Sequence, residues 1–167
     1  MFKEYTILFV EDDIDLQNYM HQILKDECAH LFMANNGEEG LSLYKIHTPD
    51  IVITDLHMPK LDGLAMCKEI KKENFAQEII LLTGHGYVEK LREAINIGVN
   101  AFIPKPISDI NLLFTSINKA IKHIHYNREL YQIKKQEIKK RIEIENLVSQ
   151  ILYTNDDYVN FDAIKFE

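Results

Sequence analysis

Short apolar runs alternate with amphipathic segments along the first 118 residues of the chain. Apolar positions spaced three and four residues apart predict helices at Ile14–Glu27, Leu64–Lys72 and Val88–Ile97, and Asn36 predicts the start of another helix. A final helix is predicted to begin at Ser108 or Asp109. The apolar runs, which have the length and composition of buried strands, are Thr6–Val10, His30–Ala34, Ile51–Thr54, Ile79–Thr83 and Ala101–Pro104.

This alternation predicts an α/β protein built from five strand–helix units. Strands that are apolar throughout are typical of a parallel sheet covered by helices on both faces. Right-handed crossovers then give a doubly wound (βα)5 sheet, in which ligands bind beyond the carboxyl ends of the strands. We therefore expect the functional residues at those ends.

Chemically active residues follow four of the five predicted strands. Three acids, Glu11–Asp13, follow the first strand, Asp55 follows the third, Thr83 ends the fourth and Lys105 follows the fifth. Several carboxylates at one edge of a sheet are costly unless a cation binds there, and Mg²⁺ prefers such oxygen ligands. A nucleophilic carboxylate, a hydroxyl and an amine beside a metal are the parts needed for phosphoryl transfer to an aspartate.

Four segments together resemble the bacterial receiver domain of two-component response regulators. They are Val10–Asp13, Asp55–Gly63, Thr83-Gly84 and Phe102–Pro106, and the resemblance covers roughly residues 1–122. It implies a flavodoxin-like fold with strand order 2-1-3-4-5. It also implies a cytoplasmic signalling switch rather than an enzyme, phosphorylated by a sensor histidine kinase or a phosphotransfer protein.

The resemblance implies a role for each matching residue. Asp55 is the expected phosphoacceptor, and Lys105 and Thr83 are expected to contact the phosphoryl oxygens. Phe102 is the expected aromatic switch residue, which turns as Thr83 moves and so changes the face made by the fourth helix, fifth strand and fifth helix. The peptide bond before Pro106 is often cis in this family. The expected ligands of Mg²⁺, or of Mn²⁺ in its place, are Glu11, Asp12, Asp55 and the backbone carbonyl of His57.

Four positions leave alternatives open. His57 lies two residues after Asp55, and His85 lies two residues after Thr83. In family members, the residues at these two positions tune the lifetime of the phosphoryl group. The alternative is that both imidazoles point to solvent. Asp13 suits a helix cap as well as a metal ligand. Phe102 would also suit an ordinary strand position in the core.

The chain continues as a helical pattern beyond the expected end of the domain. We expect residues 123–152 to form a helical linker, with a coiled-coil seam that could align two copies in a parallel dimer, and residues 153–167 to be an acidic tail or the start of a truncated output module. Neither glycine nor proline follows Pro106. The seam positions are Ile117, Ile121, Ile124, Arg128, Tyr131, Lys135, Ile138, Ile142, Glu145, Ser149 and Leu152.

Charge divides the chain into three parts. Residues 1–118 carry 10 basic and 18 acidic side chains, residues 119–141 carry 8 and 2, and residues 142–167 carry 1 and 6. The acidic first part argues against nucleic-acid binding through that part. The basic block suits a solvated helix face or a surface for an acidic partner. It suits nucleic acid less well, since it shows neither a helix-turn-helix nor the aromatic interleaving of nucleic-acid sites.

The output of such a switch has several interpretations. The chain could regulate a larger output enzyme such as a cyclase, phosphodiesterase or kinase, or act as a transcription regulator through the basic helix. A homodimer could form through the fourth-helix, fifth-strand and fifth-helix face or through the C-terminal helix. Cys28 and Cys67 are too few for a disulfide framework, and no segment approaches membrane-spanning length.

Overall fold

The structure, a computed structural model, describes residues 2–84 and 88–156. Within these residues, five parallel strands form one sheet in the order β2-β1-β3-β4-β5, so the predicted fold class and strand order are confirmed. The strands are β1 (Phe2–Val10), β2 (Cys28–Ala34), β3 (Ile51–Asp55), β4 (Glu78–Thr83) and β5 (Ala101–Pro104). The helices are α1 (Ile14–Leu24), α2 (Gly37–His47), α3 (Gly63–Glu73), α4 (Val88–Ile97) and α5 (Ile110–Asp156).

Alternate residues of each strand build two apolar layers, one on each face of the sheet. In β1, Leu8 and Val10 join the layer that packs against α2, α3 and α4, whereas Ile7 and Phe9 join the layer that packs against α1 and α5. All four side chains are fully buried. Because successive strand residues point to opposite faces, an uninterrupted apolar run is what a doubly covered sheet requires.

Several predicted elements differ by one or two residues from those observed, as β2 does, which begins at Cys28 rather than His30, and two differ by three residues or more. Strand β1 begins at Phe2 rather than Thr6, because Phe2 and Tyr5 are buried although Lys3 and Glu4 between them are exposed. Helix α1 ends at Leu24 rather than Glu27, because the chain must turn before β2 begins at Cys28, opposite Phe2. In both places the polar residues at the end of an element obscure its true boundary.

The chain divides into two compact units, Met1–Ile124 and His125–Glu167. In the first unit, Ile117 is fully buried and belongs to the apolar layer beneath α5, and Ile121 and Ile124 pack against the same layer. The prediction that these three isoleucines begin a coiled-coil seam was therefore wrong, since a core-facing stripe and a seam share nearly the same spacing. Among the described residues, no helix is both long and apolar enough to cross a bilayer.

A buried carboxylate lies at the start of β4, at the end of the sheet opposite the predicted site. The side chain of Glu78 is 4% exposed, and its Oε1 lies 3.6 Å from Nδ1 of His123 on α5. Burial raises the pKa of Glu78, and this effect outweighs the lowering influence of His123 and of Lys71 on α3. The folded protein therefore retains the Glu78 proton at pH values where the unfolded chain releases it.

We expect Glu78→Gln to stabilise the protein relative to the native chain more at neutral pH than at acid pH. The pKa of Glu78 is raised on folding, so its favourable contribution is complete below its ordinary value of 4.5 and is lost as the pH rises through the raised value. Urea unfolding at about pH 4 and about pH 7.5 measures this difference. Glu137→Gln, at an exposed position of α5, is the matched control and should show no such trend.

Candidate functional site

Three strand ends bring two carboxylates and one amine into direct contact. Lys105, which follows β5, donates from Nζ to both oxygens of Glu11 at 2.9 Å and to Oδ2 of Asp55 at 2.8 Å. Glu11 follows β1 and is fully buried, and Asp55 ends β3 and is 7% exposed. The sequence prediction that these strand ends converge on one site is therefore correct in its geometry.

Burial and the neighbouring Lys105 have opposite effects on the pKa of Glu11. Burial, together with the nearby charge of Asp55, raises the pKa of Glu11 to about 6, although the hydrogen bond and charge of Lys105 lower it. Burial by itself would lower the pKa of Lys105, but its hydrogen bonds to Asp55 and Glu11 outweigh that effect and raise it. Lys105 therefore remains a cation in a place where two acids would otherwise repel one another.

Three carboxylates at this edge form a set suited to a divalent cation. Oxygen atoms of Glu11, Asp12 and Asp55 all lie within 4.8 Å of one another, and Asp12 is the exposed member. Hard cations such as Mg²⁺ take carboxylate oxygens together with waters. Glu11 and Asp55 are both buried and share the single amine of Lys105, so a further cation fits this donor set.

Asp13, for which a cap and a metal role were both open, acts as the N-cap of α1. Its Oδ1 accepts hydrogen bonds from the backbone N–H of Asp15 at 2.9 Å and of Leu16 at 3.1 Å. These contacts satisfy two of the otherwise unpaired N–H groups at the start of the helix.

Gln17 also supports the site, although the sequence pattern did not identify it. From the first turns of α1 its side-chain amide donates to the backbone carbonyls of Glu11 and Ala34. These contacts tie together the ends of β1 and β2, which are neighbouring strands. No local sequence pattern identifies this role, because the contact depends on how α1 folds back over the sheet.

Gly63 is required by the close approach of α3 to the end of β3 at Asp55. Its N–H donates to the carbonyl of Leu56 at 3.1 Å, and a Cβ atom at this position would lie 1.8 Å from the carbonyl oxygen of Asp55. Asp62 caps the helix by accepting from the N–H of Ala65 at 2.8 Å. The final glycine of the Asp55–Gly63 motif thus has a steric reason.

The proposed switch residues lie on β4 and β5, which pair with one another. Thr83, 6% exposed, donates its hydroxyl to the Gly84 carbonyl at 3.0 Å, and its own carbonyl accepts from the N–H of Lys105 at 2.8 Å. Phe102 is partly buried against the layer beneath α2, α3 and α4. The Lys105–Pro106 peptide bond is cis, in agreement with the sequence expectation.

The two histidines predicted to tune the phosphoryl group differ in what can be described. His57 has its Nδ1 3.5 Å from Nζ of Lys90 on α4, and the same Nζ lies 3.5 Å from Oδ2 of Asp62. His57 is thus half-buried beside a lysine rather than pointing freely to solvent. His85 lies outside the described residues.

Comparison with known proteins agrees with this geometry. Residues 7–118 match the family described as the response regulator receiver domain. The chain is 35% identical over 100 residues to the chemotaxis protein CheY of Halobacterium salinarum, covering 60% of this chain and 83% of that protein. A receiver domain structure from Clostridium thermocellum superimposes with a TM-score of 0.69 at 30% identity, covering 73% of this chain and 98% of the other.

The chain therefore belongs to the response regulator receiver domain family, the signalling modules of two-component systems. Receiver domains bind Mg²⁺ at an acidic pocket, and the cluster of Glu11, Asp12 and Asp55 lies at the corresponding edge of this sheet. A longer relative, the transcriptional regulatory protein ZraR of Escherichia coli, is 32% identical over 119 residues, which cover 71% of this chain but 27% of that protein. The chain thus spans only about a quarter of that regulator's length.

Proposed function

We propose that this protein is a phosphorylation-dependent switch that accepts a phosphoryl group on Asp55 from a sensor histidine kinase or a phosphotransfer protein. The observation that carries the proposal is the contact of Lys105 with both Asp55 and Glu11, at 2.8–2.9 Å, at a strand end beside a third carboxylate. A lysine paired only for stability would not require two converging acids and an exposed third acid next to it.

The groups at the site suit phosphoryl transfer. The carboxylate of Asp55 would attack phosphorus as the P–N bond of a phosphohistidine breaks, and the departing imidazole would keep the electron pair and take up a proton. Lys105, already within hydrogen-bond distance of Asp55, would then pair with a phosphoryl oxygen. Mg²⁺, or Mn²⁺, held by Glu11, Asp12, Asp55 and the His57 carbonyl, would neutralise phosphoryl charge.

Signal output would follow from the charge added at Asp55. A phosphoryl group adds between one and two negative charges, which would attract both the Thr83 hydroxyl and the Lys105 amine. The backbone N–H of Lys105 donates a hydrogen bond to the carbonyl of Thr83. Thr83 and Lys105 would therefore move together, as part of one β4–β5 pair. Phe102 on β5 would then turn, and the face made by α4, β5 and α5 would change shape.

We assign the receiver to residues 1–122, a helical linker to 123–152 and an acidic tail or the start of an output module to 153–167.

A transcription regulator is the second candidate function, because residues 119–141 are strongly basic and ZraR is named as a transcriptional regulatory protein. Binding to duplex DNA that weakens steeply with added salt would favour this candidate. If the protein does not change the electrophoretic mobility of the DNA at low salt, this candidate function is wrong.

Replacing the phosphoacceptor should abolish phosphorylation. Asp55→Asn removes the nucleophilic carboxylate while keeping the size of the side chain, so incubation with Mg²⁺ and acetyl phosphate should give no covalent phosphoryl adduct by intact-protein mass spectrometry. Asp13→Asn is the matched control, because an asparagine still caps α1, and it should be phosphorylated like the native chain. An adduct of equal yield on the Asp55→Asn variant would contradict the assignment.

Replacing Lys105 should separate phosphorylation from its readout. Lys105→Ala retains the Asp55 nucleophile but removes the amine that would pair with the phosphoryl group. Beryllofluoride with Mg²⁺ should therefore shift the oligomeric state of the native chain about 5- to 150-fold in its equilibrium constant, and that of the variant by far less. Light scattering after size exclusion measures this, and Lys60→Ala, at an exposed loop position, should behave like the native chain.

We further propose that His57 and His85 set the lifetime of the phosphoryl group. His57 is held beside Lys90 at 3.5 Å, so its imidazole could restrict the path of an attacking water. His57→Ala should then speed hydrolysis of phosphorylated Asp55 several-fold, measured as loss of the adduct at fixed pH. His47→Ala, a histidine at the end of α2, is the control. An unchanged rate in the His57 and His85 double variant would remove the proposal.

A further inference from the structure

Helix α4 has a small apolar contact with the rest of the domain. Among its described side chains, Ala94 is the one that is fully buried, and Ile97 is partly buried against the same apolar layer. Helix α3 contributes four buried apolar side chains to that layer, namely Leu64, Met66, Cys67 and Ile70. Burial of apolar surface is the main favourable contribution to packing. Polar contacts therefore matter more for the position of α4 than for that of α3.

Two ion pairs join α4 to α3. Lys68 on α3 pairs with Glu93 on α4. Lys90 on α4 pairs with Asp62, the N-cap of α3, at 3.5 Å between Nζ and Oδ2. The four side chains are between 36% and 47% exposed, and ion pairs this exposed contribute little to the free energy of unfolding. Their influence is therefore on where α4 lies rather than on whether the domain folds.

The Lys90 pair extends to the candidate site. Nζ of Lys90 also lies 3.5 Å from Nδ1 of His57, which follows Asp55 by two residues. The position of Asp62 is fixed by its other carboxylate oxygen, Oδ1, which accepts a hydrogen bond from the N–H of Ala65 at 2.8 Å. Lys90 thus links α4 both to a fixed carboxylate and to a residue beside the proposed phosphoacceptor.

This contact restrains the imidazole ring of His57. A lysine ammonium group can only donate hydrogen bonds, so Nδ1 of His57 is the accepting nitrogen when the two groups interact. The contact therefore selects the tautomer of the neutral ring that carries its proton on Nε2, and it selects one orientation of the ring. Because the lysine belongs to α4, this restraint is present only while α4 remains in its observed position.

We propose that Lys90 is a positioning residue for the phosphorylated site. From α4 it orients His57, so that the lifetime of the phosphoryl group on Asp55 depends on where α4 lies. This inference rests on the proposed function, in which Asp55 is phosphorylated and His57 restricts the path of the attacking water. Lys90 takes no part in the chemistry and acts through His57. A partner that draws α4 away from α3 would shorten the life of the phosphoryl group.

Replacing Lys90 with methionine tests this role. Methionine keeps an unbranched apolar stem of similar length but has no donor, so the restraint on His57 is lost. After phosphorylation with acetyl phosphate and Mg²⁺ and removal of the phosphodonor, hydrolysis of the adduct should be about threefold to tenfold faster than in the native chain. Lys90→Arg keeps the cation and its donors and should hydrolyse at close to the native rate. Intact-protein mass spectrometry at fixed pH measures the loss of the adduct.

Lys68→Met makes the same chemical change in the other ion pair between α3 and α4. Within the described part of the chain, Lys68 pairs with Glu93 and has no hydrogen bond or ion pair with His57 or Asp55. The phosphoryl lifetime in this variant should therefore match that of the native chain. Both methionine variants should unfold at nearly the native urea concentration, because pairs this exposed contribute little to stability. Equal acceleration in Lys68→Met would assign the effect to a general loosening of α4 and overturn the role of Lys90.

A double-mutant cycle tests whether Lys90 acts through His57. If it does, the variant with both Lys90→Met and His57→Ala should hydrolyse no faster than His57→Ala by itself, because the group that Lys90 positions is already absent. If the two accelerations multiply, Lys90 acts on the phosphoryl group independently of His57, and the proposal is wrong.

Nuclear magnetic resonance gives a readout that needs no phosphorylation. In the unphosphorylated protein, Lys90→Met should shift the imidazole nitrogen resonances of His57, whereas Lys68→Met should leave them in place. His57→Ala assigns these resonances by removing them. Unchanged His57 resonances in Lys90→Met would show that the contact is not made in solution and would overturn the proposal.

These measurements distinguish failure of the inference from failure of the proposed function. If the native chain forms no adduct, the proposed function is wrong and the inference falls with it, even where the resonances detect the contact. If the native chain is phosphorylated and Lys90→Met hydrolyses at the native rate, the inference is wrong and the proposed function stands.

Discussion

The contact of Lys105 with Glu11 and Asp55 is the interaction on which the rest of the site depends. Strand β5 does not pair with β1, because β3 and β4 lie between them, yet the Lys105 amine reaches carboxylates from both β1 and β3. The doubly wound strand order is what makes this possible. Without the amine, two largely buried acids would face one another, and both would lose much of their tendency to ionise.

Under the proposed function, this contact also gives the site a way to respond to phosphorylation of Asp55. The Lys105 amine is held in a defined position between the carboxylates of Glu11 and Asp55. A phosphoryl group on Asp55 would change the electrostatic forces on that amine. The backbone N–H of Lys105 donates a hydrogen bond to the carbonyl of Thr83, so a displacement of Lys105 is coupled to β4 rather than confined to one side chain. Burial raises the pKa of Glu11, and the hydrogen bond and charge of Lys105 offset only part of that effect.

Most of the fold and the centre of the site could be predicted from the sequence. Apolar runs give the strands, and the rule that ligands lie beyond strand ends brings Glu11, Asp55 and Lys105 together before any coordinates are known. Contacts that depend on how helices pack could not be predicted in the same way. Gln17 bridging two strands and Lys90 beside His57 both join residues far apart in sequence that carry no shared pattern.

Helix α5 shows how one periodic pattern can serve two purposes. The stripe that contains Leu113, Ile117 and Ala120 is buried in the domain core, and the same three- and four-residue spacing continues through Ile138 and Ile142, where the side chains are exposed. Periodicity alone cannot separate the two uses, because both require an apolar line along a helix. Charge can separate them: the core part of the stripe contains no charged member, whereas the exposed part contains Arg128, Lys135 and Glu145. A charged side chain is costly to bury without a partner, so the first charged member, Arg128, marks where the stripe can no longer face the core.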